Sequence, residues 1–200
     1  QDAANKLGWT TKRTMIIAQQ LYEGIQTGGE LTGLITYMRT DSTRVSDEAQ
    51  LAGRSYVKQT FGDNYLGASS KNIKKKGNVQ DAHEAIRPSL IELHPNKLES
   101  DLSTEQWKLY TLIWERFMAS LMAPSQTETT TVIIESSATD RYYSKIAGTV
   151  TLFPGYTAVF SDQDKFQDKG LTFLNHIKEK DELEMVELDK EQKFTKPPAR

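Results

Sequence analysis

The chain has 200 residues and a nearly balanced charge, with 25 lysines and arginines against 27 aspartates and glutamates. Because there is no general excess of positive charge, binding to nucleic acid would have to rely on a local patch. The chain has no cysteine, which excludes a disulfide framework and a thiolate zinc site. No apolar run approaches the length that crosses a membrane, so we expect no membrane contact.

Helical patterns dominate the first part of the chain. Residues 11–23 place apolar side chains on one face, and Gly24 follows as a stop signal. Ser46 can cap a second helix that runs to about Phe61, with acidic residues in its first turn. Residues 103–106 have the form of a capping box, and large apolar residues follow at helical spacing as far as Leu121. This last stripe predicts a buried core helix.

Strand-like patterns follow. Residues 129–134 and 148–153 are rich in β-branched side chains. Pro154 and Gly155 form a turn signal before a third strand-like run, 156–160. Residues 182–188 alternate only weakly.

These patterns predict an α+β fold in two parts. Residues 1–123 form a mainly helical domain that carries a tyrosine motif, and residues 124–200 form a β-rich segment that ends in an exit linker. Residues 71–77, which include three consecutive lysines, have the composition of a basic surface loop.

The first motif is the segment Gly33–Ser42, with the sequence GLITYMRTDS. Free tyrosine has a pKa of about 10, so its phenol is a weak nucleophile near neutral pH unless a cation stabilises the phenolate. Arg39 could supply that cation, and its planar guanidinium also suits a phosphate. Taken without other information, Tyr37 would be read as a packed aromatic residue.

The second motif is the segment Gln80–Ser89, with the sequence QDAHEAIRPS. His83 stands near three charged residues (Asp81, Glu84 and Arg87), which could fix its tautomer and place a cation near a phosphate. A single histidine is more often a structural residue than a catalytic one. Arg87 could contact DNA or could pack against the chain beside Pro88.

A third candidate lies on the first predicted helix. Gln19 and Glu23 are four residues apart and therefore share one face, next to the loop that leads to Tyr37. The alternative is an exposed amide–acid pair without function.

The two motifs together resemble those of the type IA DNA topoisomerases, and Met38 between Tyr37 and Arg39 is similar to the bacterial topoisomerase I branch, whereas topoisomerase III typically has proline there. Met38 and the second motif argue against topoisomerase III and reverse gyrase. The resemblance covers almost the whole chain. It implies a helical gate domain inserted into an arch domain, whose first half would precede Gln1. Since the chain lacks an initiator methionine, we expect it to be a segment of a longer protein.

The resemblance also implies roles for the candidate residues. Tyr37 would attack a DNA phosphate and form a 5′-phosphotyrosine link, and Arg39 would stabilise the negative charge. His83, Gln19 and Glu23 would hold the DNA strand, with Arg87 either joining them or packing. The remaining DNA-site candidates, which would orient Arg39 and the loop through hydrogen bonds, are Thr36, Thr40 and Asp41. Because a carboxylate repels phosphate, we expect Asp41 to be paired with an arginine.

Further expectations concern the parent enzyme. Mg²⁺ would be held by an acidic cluster in a separate Toprim domain, and these 200 residues contain no metal site, so alone they should neither cleave nor relax DNA. The implied substrate is the single-stranded part of negatively supercoiled DNA, relaxed without ATP by a monomeric, cytoplasmic, nucleoid-associated enzyme. The alternative from another class is a non-catalytic module that binds single-stranded nucleic acid. A buried Tyr37 hydroxyl bonded to backbone would favour that module.

Overall fold

The computed structural model describes residues 1–68, 83–137, 141–160, 174, 176–187 and 189–194. The basic loop predicted at residues 71–77 lies outside these ranges. In chain order the helices and strands are α1 (Asp2–Leu7), α2 (Thr11–Glu23), β1 (Ile25–Thr27), β2 (Glu30–Thr32), α3 (Asp47–Phe61), α4 (Thr104–Leu121), β3 (Gln126–Glu135) and β4 (Tyr143–Phe153). The predicted α+β class is confirmed. No helix within the described ranges is both long and apolar enough to cross a bilayer.

The contacts divide the chain into two compact units. The first comprises the described residues of 1–128 and 151–167, and the second those of 129–150 and 168–200. The first unit contains the four helices, the tyrosine motif and the described part of the second motif, residues 83–89. The domain boundary after Ala123 that was inferred from composition stays a prediction.

The three predicted helices are confirmed, together with the predicted caps at Ser46 and Ser103; the cap at Thr10 was not predicted. The Thr10 and Ser46 hydroxyls each accept a hydrogen bond from an amide in the first turn of their helix. The capping box of Ser103 and Gln106 is complete in both directions. Each cap satisfies amides that would otherwise lack partners, which is why these local signals locate the helix starts well.

A short hairpin that we did not predict connects α2 to the tyrosine motif. Strands β1 and β2 pair antiparallel, with Ile25 opposite Thr32 and Thr27 opposite Glu30. Gly28 and Gly29 form the turn, and both have positive φ angles (61° and 93°). A Gly-Gly pair suits such two-residue turns because they require left-handed backbone. That dipeptide is the signal in the sequence for this turn, in a segment where we expected only the loop that leads to Tyr37.

Helix α4 lies at the centre of the core and holds the chain that follows the second motif. Tyr110 and Trp114 are almost completely buried, as predicted for this stripe. The Tyr110 hydroxyl donates to the carbonyl oxygen of Leu93 (2.6 Å), and the Trp114 indole donates to that of Ile91 (3.2 Å). Burial raises the pKa of Tyr110, so this hydroxyl stays a donor. These bonds fix the path of the segment just after Ser89.

Beyond Pro124 two strand predictions are confirmed and one is wrong. Strands β3 and β4 contain the predicted runs 129–134 and 148–153 and pair with each other. Residues 155–159 form a 3₁₀ helix, not a strand. Tertiary contacts overrule the β-branched composition here, because the Tyr156 amide donates to the Ala123 carbonyl and the segment packs on α4. Residues 182–187 form no strand, and Leu188 lies outside the described ranges.

Candidate active site

The segment that carries Tyr37 crosses the end of α2 in direct contact with it. The Leu34 amide donates to the Leu21 carbonyl (2.8 Å). Gly33 passes so close that a Cβ atom there would lie 2.8 Å from the Tyr22 carbonyl oxygen. Leu34 and Met38 are buried, with exposed fractions of 1% and 4%. The tyrosine segment is therefore anchored in the core, while Arg39 is exposed.

Hydrogen bonds join the two sequence motifs to each other. The Thr36 amide donates to the Arg87 carbonyl (3.0 Å), and the Ser89 amide donates to the Leu34 carbonyl (2.9 Å). The Thr36 hydroxyl donates to the Ala85 carbonyl (2.8 Å) and accepts from the Arg87 amide (3.0 Å). These bonds place the residues around His83 beside the tyrosine segment. Thr36 therefore links the two motifs. That Thr36 orients Arg39 and the loop stays a prediction.

The Tyr37 ring contacts two other aromatic rings. It stacks on the His83 ring with a centroid distance of 5.2 Å and an interplanar angle of 29°. The Tyr22 ring meets it edge-on, at 5.5 Å and 69°. Tyr37 is half-buried, and its hydroxyl makes no hydrogen bond to any residue that the structure describes. This differs from a buried hydroxyl bonded to backbone, the arrangement that would favour a non-catalytic module.

Arg39 and Asp41 both face solvent just after the tyrosine. Neither forms an ion pair with another described residue, so the expected pairing of Asp41 with an arginine is not seen in these parts of the chain. Thr40 accepts a hydrogen bond from the Ser42 amide (3.0 Å), which shapes the turn that follows. Thr40 thus orients the backbone, and the Arg39 guanidinium remains available for an anion.

The Arg87 side chain forms an ion pair with Glu84, the residue that follows His83. Its guanidinium donates to the Glu84 carboxylate (2.6 and 3.0 Å) and to the Pro88 carbonyl (2.9 Å). Burial raises the pKa of Glu84, but hydrogen bonding to Arg87 and the Arg87 charge outweigh that effect, with help from Ser46 and Arg44, and the pKa is held below its usual value. These contacts correspond to the packing role of Arg87. A contact between Arg87 and DNA stays a prediction, and Asp81 lies outside the described residues.

Gln19 and Glu23 contact each other on the last turns of α2. The Gln19 amide donates to the Glu23 carboxylate, as their spacing predicted. Glu23 directly follows Tyr22, whose ring touches Tyr37. The pair therefore lies on the part of α2 that flanks the tyrosine.

Sequence reasoning missed Tyr22. No pattern in the sequence distinguishes it from other aromatic residues at helix ends; its ring, 41% exposed, is identified by its contact with Tyr37. The described residues contain no group of three or more histidines, aspartates or glutamates that could hold a metal ion.

Comparison with known proteins decides the family. A sequence model described as DNA topoisomerase matches residues 1–200. The chain belongs to this family. DNA topoisomerase 1 of Campylobacter jejuni is 41% identical to it over 202 aligned positions, which cover 100% of this chain and 28% of that protein. DNA topoisomerase 1 of Thermotoga maritima is 44% identical over 165 positions, covering 82% of this chain and 26% of that protein.

The fold comparison agrees with the sequence comparison. The structure of full-length topoisomerase I from Thermotoga maritima superposes with a TM-score of 0.67 at 41% identity, over 80% of this chain and 25% of that one. The resemblance to bacterial topoisomerase I that the two motifs indicated is therefore confirmed. The topoisomerase segment described here spans about a quarter of the length of these relatives.

Proposed function

We propose that this chain carries the nucleophile of a type IA DNA topoisomerase, with Tyr37 forming a transient 5′-phosphotyrosine link to one DNA strand. The proposal rests on the ring contacts of the Tyr37 side chain and on the hydrogen bonding of its hydroxyl. Its ring contacts the rings of Tyr22 and His83, and its hydroxyl makes no hydrogen bond to a described residue. A nucleophile needs this combination of a fixed ring and an oxygen that is free to react.

The proposed reaction exchanges one phosphodiester for another. The Tyr37 oxygen forms a bond to phosphorus while the bond from phosphorus to the 3′ oxygen breaks. The phenol loses its proton and the departing 3′ oxygen gains one. Because one phosphodiester bond replaces another, the bond energy is retained, so the reaction consumes no ATP and can run backwards to reseal the strand. While the strand is open the other strand would pass through the break, which relaxes negative supercoils.

The exposed cation beside the nucleophile supports this chemistry. Arg39 has no ion-pair partner among the described residues, so it can neutralise charge on the phenolate or on the phosphoryl group in the transition state. We propose that His83, Gln19 and Glu23 contact the DNA strand close to the broken bond. Thr36 and Thr40 act indirectly, since their hydroxyls bond to the backbone that carries the site.

The proposal places Mg²⁺ outside this chain. The described residues contain no group of three or more histidines, aspartates or glutamates that could hold a metal ion. We propose that an acidic Toprim domain elsewhere in the parent enzyme holds it. We accordingly propose that the 200-residue chain alone neither cleaves nor relaxes DNA. Relaxation of a supercoiled plasmid by the isolated chain with Mg²⁺ would overturn this part. The parent enzyme would act in the cytoplasm, as a monomer, on single-stranded stretches of DNA.

The direct test is covalent trapping in the full-length parent enzyme. Labelled single-stranded DNA is incubated with the wild type, with Tyr37→Phe and with Tyr142→Phe, and the products are separated under denaturing conditions. We expect protein-linked DNA with the wild type and with Tyr142→Phe, because Tyr142 is an exposed tyrosine of the other unit. Tyr37→Phe should give none. An adduct formed by Tyr37→Phe contradicts the proposal, and binding without any adduct in the wild type favours the non-catalytic module.

A further inference from the structure

The last turn of α2 presents an aromatic ring to the proposed nucleophile. Tyr22 meets the Tyr37 ring in a T-shaped contact at a centroid distance of 5.5 Å, and His83 stacks on the same ring. Edge and stacked contacts are the favoured geometries between aromatic rings. The Tyr37 ring makes one contact of each kind, and these two contacts restrict its rotation about the side-chain torsions. The restriction sets the direction in which the phenol oxygen points.

The backbone holds Tyr22 and Tyr37 in a fixed relation. The Leu34 amide bonds to the Leu21 carbonyl, and Gly33 approaches the Tyr22 carbonyl as closely as a residue without a Cβ allows. Leu21 and Leu34 are almost fully buried, with exposed fractions of 0% and 1%. The turn that carries Tyr22 therefore cannot move independently of the segment that carries Tyr37.

The environment of Tyr22 differs from that of a core residue. Its side chain is 41% exposed, whereas Tyr110 is fully buried. Its hydroxyl makes no hydrogen bond to the described residues, so the ring and not the oxygen makes the contact. Removing a half-exposed ring leaves no closed cavity, and the expected cost in stability is small.

We propose that Tyr22 is a positioning residue, whose ring orients the Tyr37 oxygen for attack on the DNA phosphate. This inference rests on the proposed function of Tyr37. It assigns to Tyr22 an effect on the rate of strand cleavage and no part in binding DNA or in proton transfer. A small error in the placement of a reacting group lowers the rate of its reaction strongly.

The test compares Tyr22→Leu, Tyr22→Phe and Ile16→Ala in the full-length enzyme. Ile16 is a matched control because it lies on the same helix and is 52% exposed. Three quantities are measured: the single-turnover rate of adduct formation at saturating enzyme, the affinity for single-stranded DNA in a Tyr37→Phe background, and the melting temperature. Tyr22→Leu should lower the rate by about tenfold, with affinity and melting temperature unchanged. Tyr22→Phe, which keeps the ring, and Ile16→Ala should both stay near the wild-type rate.

Each other outcome overturns the inference. If Tyr22→Leu forms the adduct at the wild-type rate, Tyr22 does not orient Tyr37. If Tyr22→Phe lowers the rate of adduct formation as much as Tyr22→Leu does, the effect comes from the hydroxyl and not from the ring. A fall in affinity or in melting temperature that accounts for the lost rate makes Tyr22 a binding or structural residue. The proposed function fails separately, since it requires that Tyr37→Phe abolishes the adduct whatever Tyr22 variants do.

Discussion

Thr36 and Arg87 hydrogen-bond to each other in both directions across 51 residues of sequence. The Thr36 amide donates to the Arg87 carbonyl, and the Thr36 hydroxyl accepts from the Arg87 amide. Because the same hydroxyl donates to the Ala85 carbonyl, one side chain satisfies two backbone groups of the second motif. The relative position of Tyr37 and His83 depends on this threonine.

Replacing Thr36 by valine should therefore weaken both stability and cleavage. Valine has the shape of threonine but leaves the Arg87 amide and the Ala85 carbonyl without their side-chain partner, at a cost of about 1–3 kcal/mol. Urea unfolding of the 200-residue chain can be followed by tryptophan fluorescence, since its three tryptophans all lie in the first unit.

Two further variants separate stability from the site effect. Thr36→Ser keeps the hydroxyl and should retain adduct formation in the parent enzyme. Ser103→Ala removes the cap of α4 and should cost about 1 kcal/mol without lowering adduct formation, because its hydroxyl bonds to Gln106 and not to the tyrosine segment. If Thr36→Val forms the adduct at the wild-type rate, the link between the motifs does not matter for the chemistry.

The ion pair between Glu84 and Arg87 should make stability depend on pH in the acid range. The folded-state pKa of Glu84 is lowered, so the pair stabilises the fold above the unfolded pKa of glutamate, about 4.3, and this stabilisation is lost as the pH falls through the folded value. Both side chains are mostly buried (13% and 19% exposed). Glu84→Gln should lower the free energy of unfolding by about 1–2 kcal/mol at pH 7 and by much less at pH 3.

Urea unfolding of both proteins at pH 7, 5 and 3 measures this difference. Exposed Glu48, replaced by glutamine, serves as the control and should show no comparable change. A difference between Glu84→Gln and wild type that stays constant from pH 7 to pH 3 would show that the carboxylate charge is not its origin.

Arg39→Ala should separate chemistry from folding. The side chain is exposed and makes no ion pair with a described residue, so the free energy of unfolding should change by less than about 0.5 kcal/mol. The rate of adduct formation should fall by about 10²- to 10³-fold, the usual effect of removing a group that stabilises transition-state charge. Arg39→Lys keeps the charge but loses the planar fork, and should give an intermediate rate. A wild-type rate in Arg39→Ala would remove this residue from the proposed mechanism.

Gly33→Ala should disturb the tyrosine segment through sterics alone. The added Cβ would lie 2.8 Å from the Tyr22 carbonyl oxygen, and neither backbone can move freely because Leu34 is bonded to Leu21. We expect a loss of about 1–3 kcal/mol in the free energy of unfolding, measured by urea unfolding. Unchanged stability would mean that the backbone at this crossing can shift, and would also weaken the argument that Tyr22 is fixed relative to Tyr37.

Local signals in the sequence predicted α2, α3 and α4 correctly. Capping hydroxyls at Thr10, Ser46 and Ser103 act within a few residues, so the pattern that predicts a helix and the interaction that starts it lie in the same short segment. The tyrosine and histidine motifs were recognised for the same reason, as short strings of residues.

Interactions between distant segments could not be read in this way. Thr36 was expected to orient Arg39 and the loop. Its hydroxyl bonds to the backbone of Ala85 and Arg87, and no local pattern in the sequence indicates these partners. Tyr22 became a candidate only when the fold placed its ring against Tyr37. The run 156–160 has strand-like composition, yet its contacts with Ala123 and α4 impose a 3₁₀ helix.

The bonds between residues 34–36 and 85–89 also have a mechanical consequence. They hold the Tyr37 and His83 segments together as one rigid part, because separating these segments would require several backbone hydrogen bonds to break at the same time. In the proposed cycle of strand passage, we therefore expect Tyr37 and His83 to move together as one rigid part, with the opening elsewhere in the parent enzyme.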